Sequence, residues 1–350
     1  MEIRFLSIGC GDGIHIRFKG EDDATHHIFI DGGVEAGDIY INVLRKELEQ
    51  VIDQGEQIDL WIITHIDDDH IGGLLRFIRD TAFRSKFDLS RTEFWFNYSP
   101  YDYETGMKTT SKKSVRQGMR LREFLLDGTK LNQAVSIATG TIDLHGCELT
   151  ILSPDRSQLD QLFARWQKEE TIIRSKAQQS KKVTKPNDYN IGLNEFDLSN
   201  FEEDQSGFNN SSIAMLLRWG NDHVLLTADS QPSKICSALT ALGYSATNKL
   251  KLQMMQLAHH GSKFNTSDEL LQLIDCEDFL VSADGVNKHN LPNKELLARL
   301  KRNFPDKELR VHLTHKNKTI ESLLKKDERS AGIKLVFPEP NENYIKLKLH

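Results

Sequence analysis

The chain has 350 residues and a net charge of −6. That is enough length for a full core, and the charge gives no global pull on nucleic acid. Mean hydropathy is −0.48, and no apolar run approaches the roughly 20 residues of a membrane-spanning helix, so no membrane is expected. Cys10, Cys147, Cys236 and Cys276 show no CxxC spacing, which argues against a thiolate metal site or a disulfide framework and fits a reducing, cytoplasmic setting. The opening MEIRFLSIGCGDG lacks the layout of a signal peptide.

The predicted elements run as follows. Ile3 to Ile8 is an apolar strand, followed by the Gly9–Gly13 turn and the alternating Ile14, Ile16 and Phe18 of a half-buried strand. His27 to Ile30 is another, stopped by Asp31-Gly32-Gly33, and a helix is expected over about 39–54. Leu60 to Ile63 reads as a buried strand, then come a loop and a helix beginning near Ile71. Phe94 to Phe96 reads as a strand, Arg116 to Leu126 as a helix, and Leu149 to Leu152 as a strand ended by Ser153-Pro154. Residues 155–208 turn polar. Their first part has the spacing of an amphipathic helix (158–176), and the rest reads as an exposed insertion. Strands then resume at 213–219, 224–227, 252–257 and 279–282, with helices at 232–242, 267–274 and 293–303. Strand-like pieces follow at 309–313, 333–337 and 344–349. The expectation is a single domain over 1–350 containing the 155–208 insertion, with 306–350 as a strand-rich C-terminal extension. Two basic stretches are either phosphate paths or solvated faces: Lys108, Lys112, Lys113, Arg116, Arg120 and Arg122, and Arg174, Lys176, Lys181, Lys182 and Lys185.

The chemistry concentrates in Thr64–Gly73, THIDDDHIGG, which places His65, Asp67, Asp69 and His70 within six residues. Carboxylates that crowded repel one another unless cations intervene, and imidazole with carboxylate is the ligand set of zinc and manganese. Ligands at 65, 67 and 70 cannot share one face of a strand or helix, so they suit a loop wrapped around ions. Gly72 and Gly73 allow the next helix to pack close, with its N-terminus toward the site. Other apolar runs end alike: Asp31 after 28–30, Asp229 after 224–227, His259-His260-Gly261-Ser262 after 252–257, and His289 a short loop beyond 279–282. Strand ends along one sheet edge converge, so these residues form a candidate metal centre. Asp31 reads as a brace for the loop rather than a ligand, and one of His259 and His260 as structural. His145, His223, His312 and His315 have no such setting and are taken as outside the site.

In order, these motifs resemble the metallo-β-lactamase superfamily, whose HxHxDH loop is here His65-Ile66-Asp67-Asp68-Asp69-His70, and more narrowly the hydrolase domain of DNA-uptake competence proteins and its soluble relatives. Gly9-Cys10-Gly11-Asp12, Asp31-Gly32-Gly33, Asn209-Asn210-Ser211-Ser212, His259-His260-Gly261-Ser262 and the Asn287, His289, Pro292 segment carry that narrower likeness. The resemblance implies an α/β fold, a four-layer αββα sandwich. It implies two divalent metal ions, zinc or manganese, held by His65, Asp67, Asp69, His70, Asp229 and His260. One position would keep His65, Asp67 and a bridging Asp229, and the other Asp69, His70, His260 and Asp229. Asp67 stands where the family has histidine, and Asn209 or Asn210 stands in place of its middle histidine. The first position is therefore oxygen-rich and favours manganese or weaker zinc occupancy. The implied activity is metal-dependent phosphodiester hydrolysis, with a nuclease acting on DNA or RNA as the leading reading. Asp69 would be catalytic, with His289 or His259 as general acid. Asp12, Asp31, Asn209, Asn210, Ser262, Lys263 and Asn287 would support ligands or hold substrate. Two alternatives stay open: a small-molecule phosphodiesterase or other ester or amide hydrolase of the same fold, and a degenerate scaffold in a defence or toxin system.

Overall fold

The structure, a computed structural model, describes residues 1–99, 113–175, 187–287, 289–327 and 332–350. Of the two basic stretches, Lys108, Lys112, Lys176, Lys181, Lys182 and Lys185 lie outside the described residues, as do the side chains of Lys113 and Arg174.

Two sheets form the middle of the molecule. The first has seven strands in the spatial order Tyr344–Lys348, Glu2–Leu6, Gly13–Lys19, Thr25–Asp31, Leu60–Ile63, Glu93–Phe96 and Lys130–Asn132. The second has eight, in the order Ile333–Val336, Leu309–Leu313, Asp278–Val281, Met254–Gln256, Asp222–Leu226, Ala214–Trp219, Cys147–Ser153 and Thr141–Leu144. Side-chain alternation divides the apolar residues among three cores. Ile3, Ile14, Ile16, Ile28, Ile30, Leu60 and Ile62 face the second sheet's Leu149, Met215, Leu217, Val224, Met254 and Leu280. The intervening Phe29, Trp61, Ile63, Phe94 and Phe96 pack outward with Leu44, Leu48, Leu74, Leu121 and Trp166 of the helical layer. On the far side Leu225, Met255, Phe279 and Val311 pack with Ile235, Leu239, Leu270, Leu297 and Leu300. The result is a four-layer αββα sandwich, as the resemblance implies.

The sequence reading and the structure differ mostly at short edge elements. Lys130–Asn132 and Thr141–Leu144 are strands whose few residues carry too little periodicity to be recognised. The helix expected from 39 begins with a π-turn, Tyr40–Leu44, before Arg45–Asp53. The last strands join both sheets: Tyr344–Lys348 pairs with Glu2–Leu6, and Ile333–Val336 with Leu309–Leu313. The insertion begins with the helix Arg156–Ser175. That helix packs Trp166 into the core, and its Glu170 pairs with Arg122 at 3.0 Å. Arg122 is thus a buried helix clamp rather than part of a phosphate path.

Parallel pairing of Thr25–Asp31, Leu60–Ile63 and Glu93–Phe96, and of Asp222–Leu226, Met254–Gln256, Asp278–Val281 and Leu309–Leu313, brings their C-terminal ends to one rim, where α/β proteins place ligands.

Candidate metal centre

The acidic loop sits on that rim because two glycines let it. A Cβ on Gly73 would lie 1.8 Å from the Gly32 carbonyl oxygen, and one on Gly72 2.0 Å from the Glu35 nitrogen. The helix Asp68–Arg79 therefore presses directly on the Asp31-Gly32-Gly33 turn. Asp67 is its N-terminal flanking residue, with extended backbone (φ −70°, ψ 148°) and no side-chain capping bond. The three aspartates then part company. The Asp67 side chain lines the open cavity, Asp68 accepts from the Gln117 amide, and Asp69 faces His260.

Three imidazoles turn the same way. His65 Nε2 lies 3.6 Å from Asp229 Oδ2, His70 Nε2 3.5 Å from Asp229 Oδ1, and His260 Nε2 3.7 Å from Asp229 Oδ1 and 3.3 Å from Asp69 Oδ2. Two donors bound about 2.1 Å from one ion stand about 3.0–3.4 Å apart, close to these separations. The other ring nitrogens face outward. His70 Nδ1 is 2.7 Å from Asp31 Oδ2, His65 Nδ1 is 3.1 Å from the Thr64 and Ser212 hydroxyls, and His260 Nδ1 is 3.9 Å from Asp12 Oδ1. This is how metal-binding histidines are oriented. His65 Nε2, His70 Nε2, both His260 ring nitrogens and Asp229 Oδ1 are buried with no hydrogen-bond partner. Buried polar atoms left in this way need a ligand, so the donor set fits divalent ions. Asp12, His70, Asp229 and His260 place ligand atoms within 4.8 Å of one another, all buried.

Charge confirms the crowding. Burial pushes Asp12 up to about 6 against the pull of His260 and His70. Burial opposes ionisation of Asp229 too, but His259, His260 and His70 hold its pKa well below the usual carboxylate range. His70 is the converse: burial lowers its pKa, and Asp229 and Asp31 raise it well above an ordinary histidine. Burial and the adjacent His70 lower His65. The buried carboxylates and imidazoles are thus strongly coupled, and metal binding among them would release protons.

The remaining expected residues divide. His259 Nε2 is 3.7 Å from Asp229 Oδ2, and its Nδ1 is 3.2 Å from Asp204 Oδ2. Burial lowers the His259 pKa, but Asp229 and Asp204 take it up to about 9. Asn209 is buried with its amide 3.4 Å from the His259 ring. Asn210 offers its carbonyl to Gln158. His259 and His260 both adopt left-handed backbone, φ 51° and 56°, a strain of the kind that clusters at functional sites. His289 is exposed on the rim. Asn287 shapes that loop, its side chain accepting from the backbone N–H of His289 and Leu291 and donating to the Leu291 carbonyl. Ser262 accepts from the Phe264 N–H, and the Lys263 ammonium pairs with Glu295 at 2.6 Å. Asp204 was not anticipated, and Ser212 was read only as part of a motif. Asp204 lies in the polar insertion 55 residues before His259 (259 − 204), and no local pattern links the two.

The cluster floors a cavity of about 530 Å³ whose walls include Cys10, Val34, Ile39, Asp284, His289 and Leu291. Among the described residues no lysine or arginine lines it, and no helix is long and apolar enough to cross a membrane.

Residues 22–139 match the sequence profile of the Metallo-beta-lactamase superfamily. This segment is about a third of the chain, and the two-sheet sandwich that contains it is consistent with the metallo-β-lactamase fold. Over 118 residues the chain is 27% identical to ComE operon protein 3 of Bacillus subtilis (strain 168), a stretch covering 34% of this chain and only 14% of that protein. Similar solved structures include the metallo-beta-lactamase fold protein YhfI from Bacillus subtilis, with 11% identity, 99% and 98% of the two chains covered and a TM-score of 0.43. A diphosphatase of the PhnP family has 13% identity, 100% and 98% coverage and a TM-score of 0.41. A long-form RNase Z from yeast has 10% identity, 97% and 44% coverage and a TM-score of 0.36.

Proposed function

We propose that this protein is a metal-dependent phosphodiesterase that acts on nucleic acid. The observation that carries the reading is the convergence of three imidazole Nε2 atoms on Asp229, with Asp69 beside His260, at the floor of an open cavity. The choice of phosphodiester follows the order of the motifs, which resembles that of the hydrolase domain of DNA-uptake competence proteins.

His65, Asp67 and Asp229 would hold one ion, and Asp69, His70, His260 and Asp229 the other. Bound there, the ions supply Lewis-acid charge and lower the pKa of a water toward neutrality. Asp31 fixes the His70 ring and Asp12 backs His260. Asp69 and Asp229, both ionised, receive the proton of the attacking water. His259, held by Asp204, carries a proton for the leaving oxygen, and His289 on the rim is the other donor within the cavity. Asp67, Asp68, Asp69, Asp229 and Asp284 all line the cavity, so it repels polyanions until cations neutralise it.

The test is an activity panel of single-stranded DNA, duplex DNA, RNA and a generic phosphodiester, each with zinc, manganese or magnesium, on wild type, Asp69→Ala and His70→Ala. Cleavage by wild type that falls to background in both variants is expected. Equal behaviour of all three proteins defeats the proposal. Cleavage of the generic ester alone moves the reading to small-molecule substrates, and failure to take up any ion favours the scaffold alternative.

A further inference from the structure

We propose that Asp22, His26 and His145 form a second binding site for a zinc-class divalent ion, at the end of the sandwich opposite the catalytic rim, where it ties the two sheets together. The strand Gly13–Lys19 leads away from Asp12. Its seven residues at about 3.3 Å each put the following turn roughly 23 Å from the first centre. His26 belongs to the first sheet, in Thr25–Asp31, and His145 to the turn of the second sheet's edge hairpin, Thr141–Leu144 with Cys147–Ser153.

Four observations converge here. Ligand atoms of the three residues lie within 4.8 Å of one another, with His26 Nε2 3.0 Å from Asp22 Oδ1 and His145 Nδ1 3.3 Å from Asp22 Oδ2. The His26 ring is buried, and its other nitrogen, Nδ1, has no hydrogen-bond partner and faces Asp59 Oδ1 at 3.3 Å. That carboxylate is fixed by the His27 N–H at 2.8 Å. A carboxylate behind a ligand histidine is the usual supporting arrangement of metal sites. Gly20 makes the cluster sterically possible, since a Cβ there would lie 2.7 Å from His26 Cδ2 and 2.8 Å from both Asp22 Oδ1 and His145 Cβ. Finally, His145 occupies the first position of a two-residue turn, His145-Gly146, in left-handed backbone (φ 53° and 94°). That position ordinarily belongs to asparagine, aspartate or glycine, and here it carries an imidazole to the Asp22 carboxylate. The rings of His26 and His145 stack with centroids 3.9 Å apart and planes 11° apart. An ion in the plane of His26 therefore needs His145 to turn about its side-chain bonds, and its side chain is half exposed. Two imidazoles, one carboxylate and water make a ligand set suited to zinc, nickel or copper.

The site is tested on the full chain, stripped with chelator, reloaded with Zn²⁺ and counted by elemental analysis after gel filtration, with Co²⁺ absorption as a second readout. The decisive variant is His145→Asn, which removes the imidazole and supplies a residue that the left-handed turn prefers; Asp22→Asn is the companion. Each variant is expected to retain one equivalent of zinc fewer than wild type and to lose the part of the zinc-dependent rise in melting temperature that wild type shows beyond it. If His145→Asn keeps the wild-type count and the same Co²⁺ spectrum, the cluster is only a hydrogen-bonded Asp–His pair and the proposal is overturned. Should Asp22→Asn fail to fold, His145→Asn decides alone.

Discussion

Asp31→Asn is the most discriminating single substitution at the catalytic rim. Asp31 Oδ1 accepts from the Thr64 backbone N–H at 2.8 Å, while Oδ2 meets the Thr64 hydroxyl at 2.6 Å and His70 Nδ1 at 2.7 Å. Asparagine has the same shape and tolerates the left-handed backbone of this position (φ 56°). Its amide oxygen can keep the Thr64 backbone bond, but its NH₂ then faces His70 Nδ1. A donor there forces Nδ1 to accept, which puts the ring proton on Nε2, the atom aimed at Asp229. The fold should survive while the ligand atom is blocked. Loss of such a supporting partner costs ten- to a hundredfold in metal affinity, which is about 1.4–2.7 kcal/mol. Calorimetric titration of the chelator-stripped protein with Zn²⁺ should show that weakening with an unchanged circular dichroism spectrum. A variant that folds and binds zinc as tightly as wild type would refute the argued tautomer control.

Further outcomes follow from the same geometry. His27 is buried between His15 Nε2 (2.8 Å) and Glu56 (2.7 Å), and burial, then the charge of His15, lowers its pKa to about 4 against the pull of Glu56. The unfolded chain takes up this proton near pH 6.5 and the folded one only near 4, so His27 contributes stability that is full above pH 6.5 and lost as pH falls to about 4, up to roughly 3 kcal/mol; urea midpoints across that range should show a steeper loss in wild type than in His27→Gln, and equal slopes would exclude the assignment. Arg122→Ala removes a two-pronged cation from Glu170, which is wholly buried and keeps the Trp166 N–H, and should cost about 3 kcal/mol in denaturant unfolding. Gly73→Ala drives a methyl group into the Gly32 carbonyl, so zinc uptake at the catalytic rim should fail or the protein should not fold, measured by elemental analysis of whatever is soluble.

Strand-end chemistry was legible in the sequence because each apolar run stops abruptly at a titratable residue. Leu60–Ile63 into Thr64-His65 and Asp222–Leu226 into Thr227-Ala228-Asp229 are both visible as a change of residue type. The helix following the acidic loop was visible too, but not its start, since Asp68 and Asp69 read equally as loop. What the sequence concealed depends on distance along the chain. Asp12 lies behind His260 and Asp204 beside His259 only because the sheets stack. Lys263 meets Glu295, 32 residues on, a pairing that no local pattern announced. His145 was set aside for want of neighbours in sequence, and its neighbours Asp22 and His26 sit across the sandwich in the other sheet's hairpin.

The pairing of Glu2–Leu6 with Tyr344–Lys348, Ile3 opposite Leu347 and Phe5 opposite Ile345, spans almost the whole sequence. During synthesis Glu2–Leu6 emerges long before the outer neighbour it pairs with. Contacts of such separation slow folding, and an unpaired apolar strand is a template for joining other chains. A chain cut after Ile333–Val336 keeps every catalytic-rim residue named above, yet it leaves the row of backbone donors and acceptors on Glu2–Leu6 bare. Shortened versions of this protein are therefore limited by self-association at that strand rather than by loss of the metal centre.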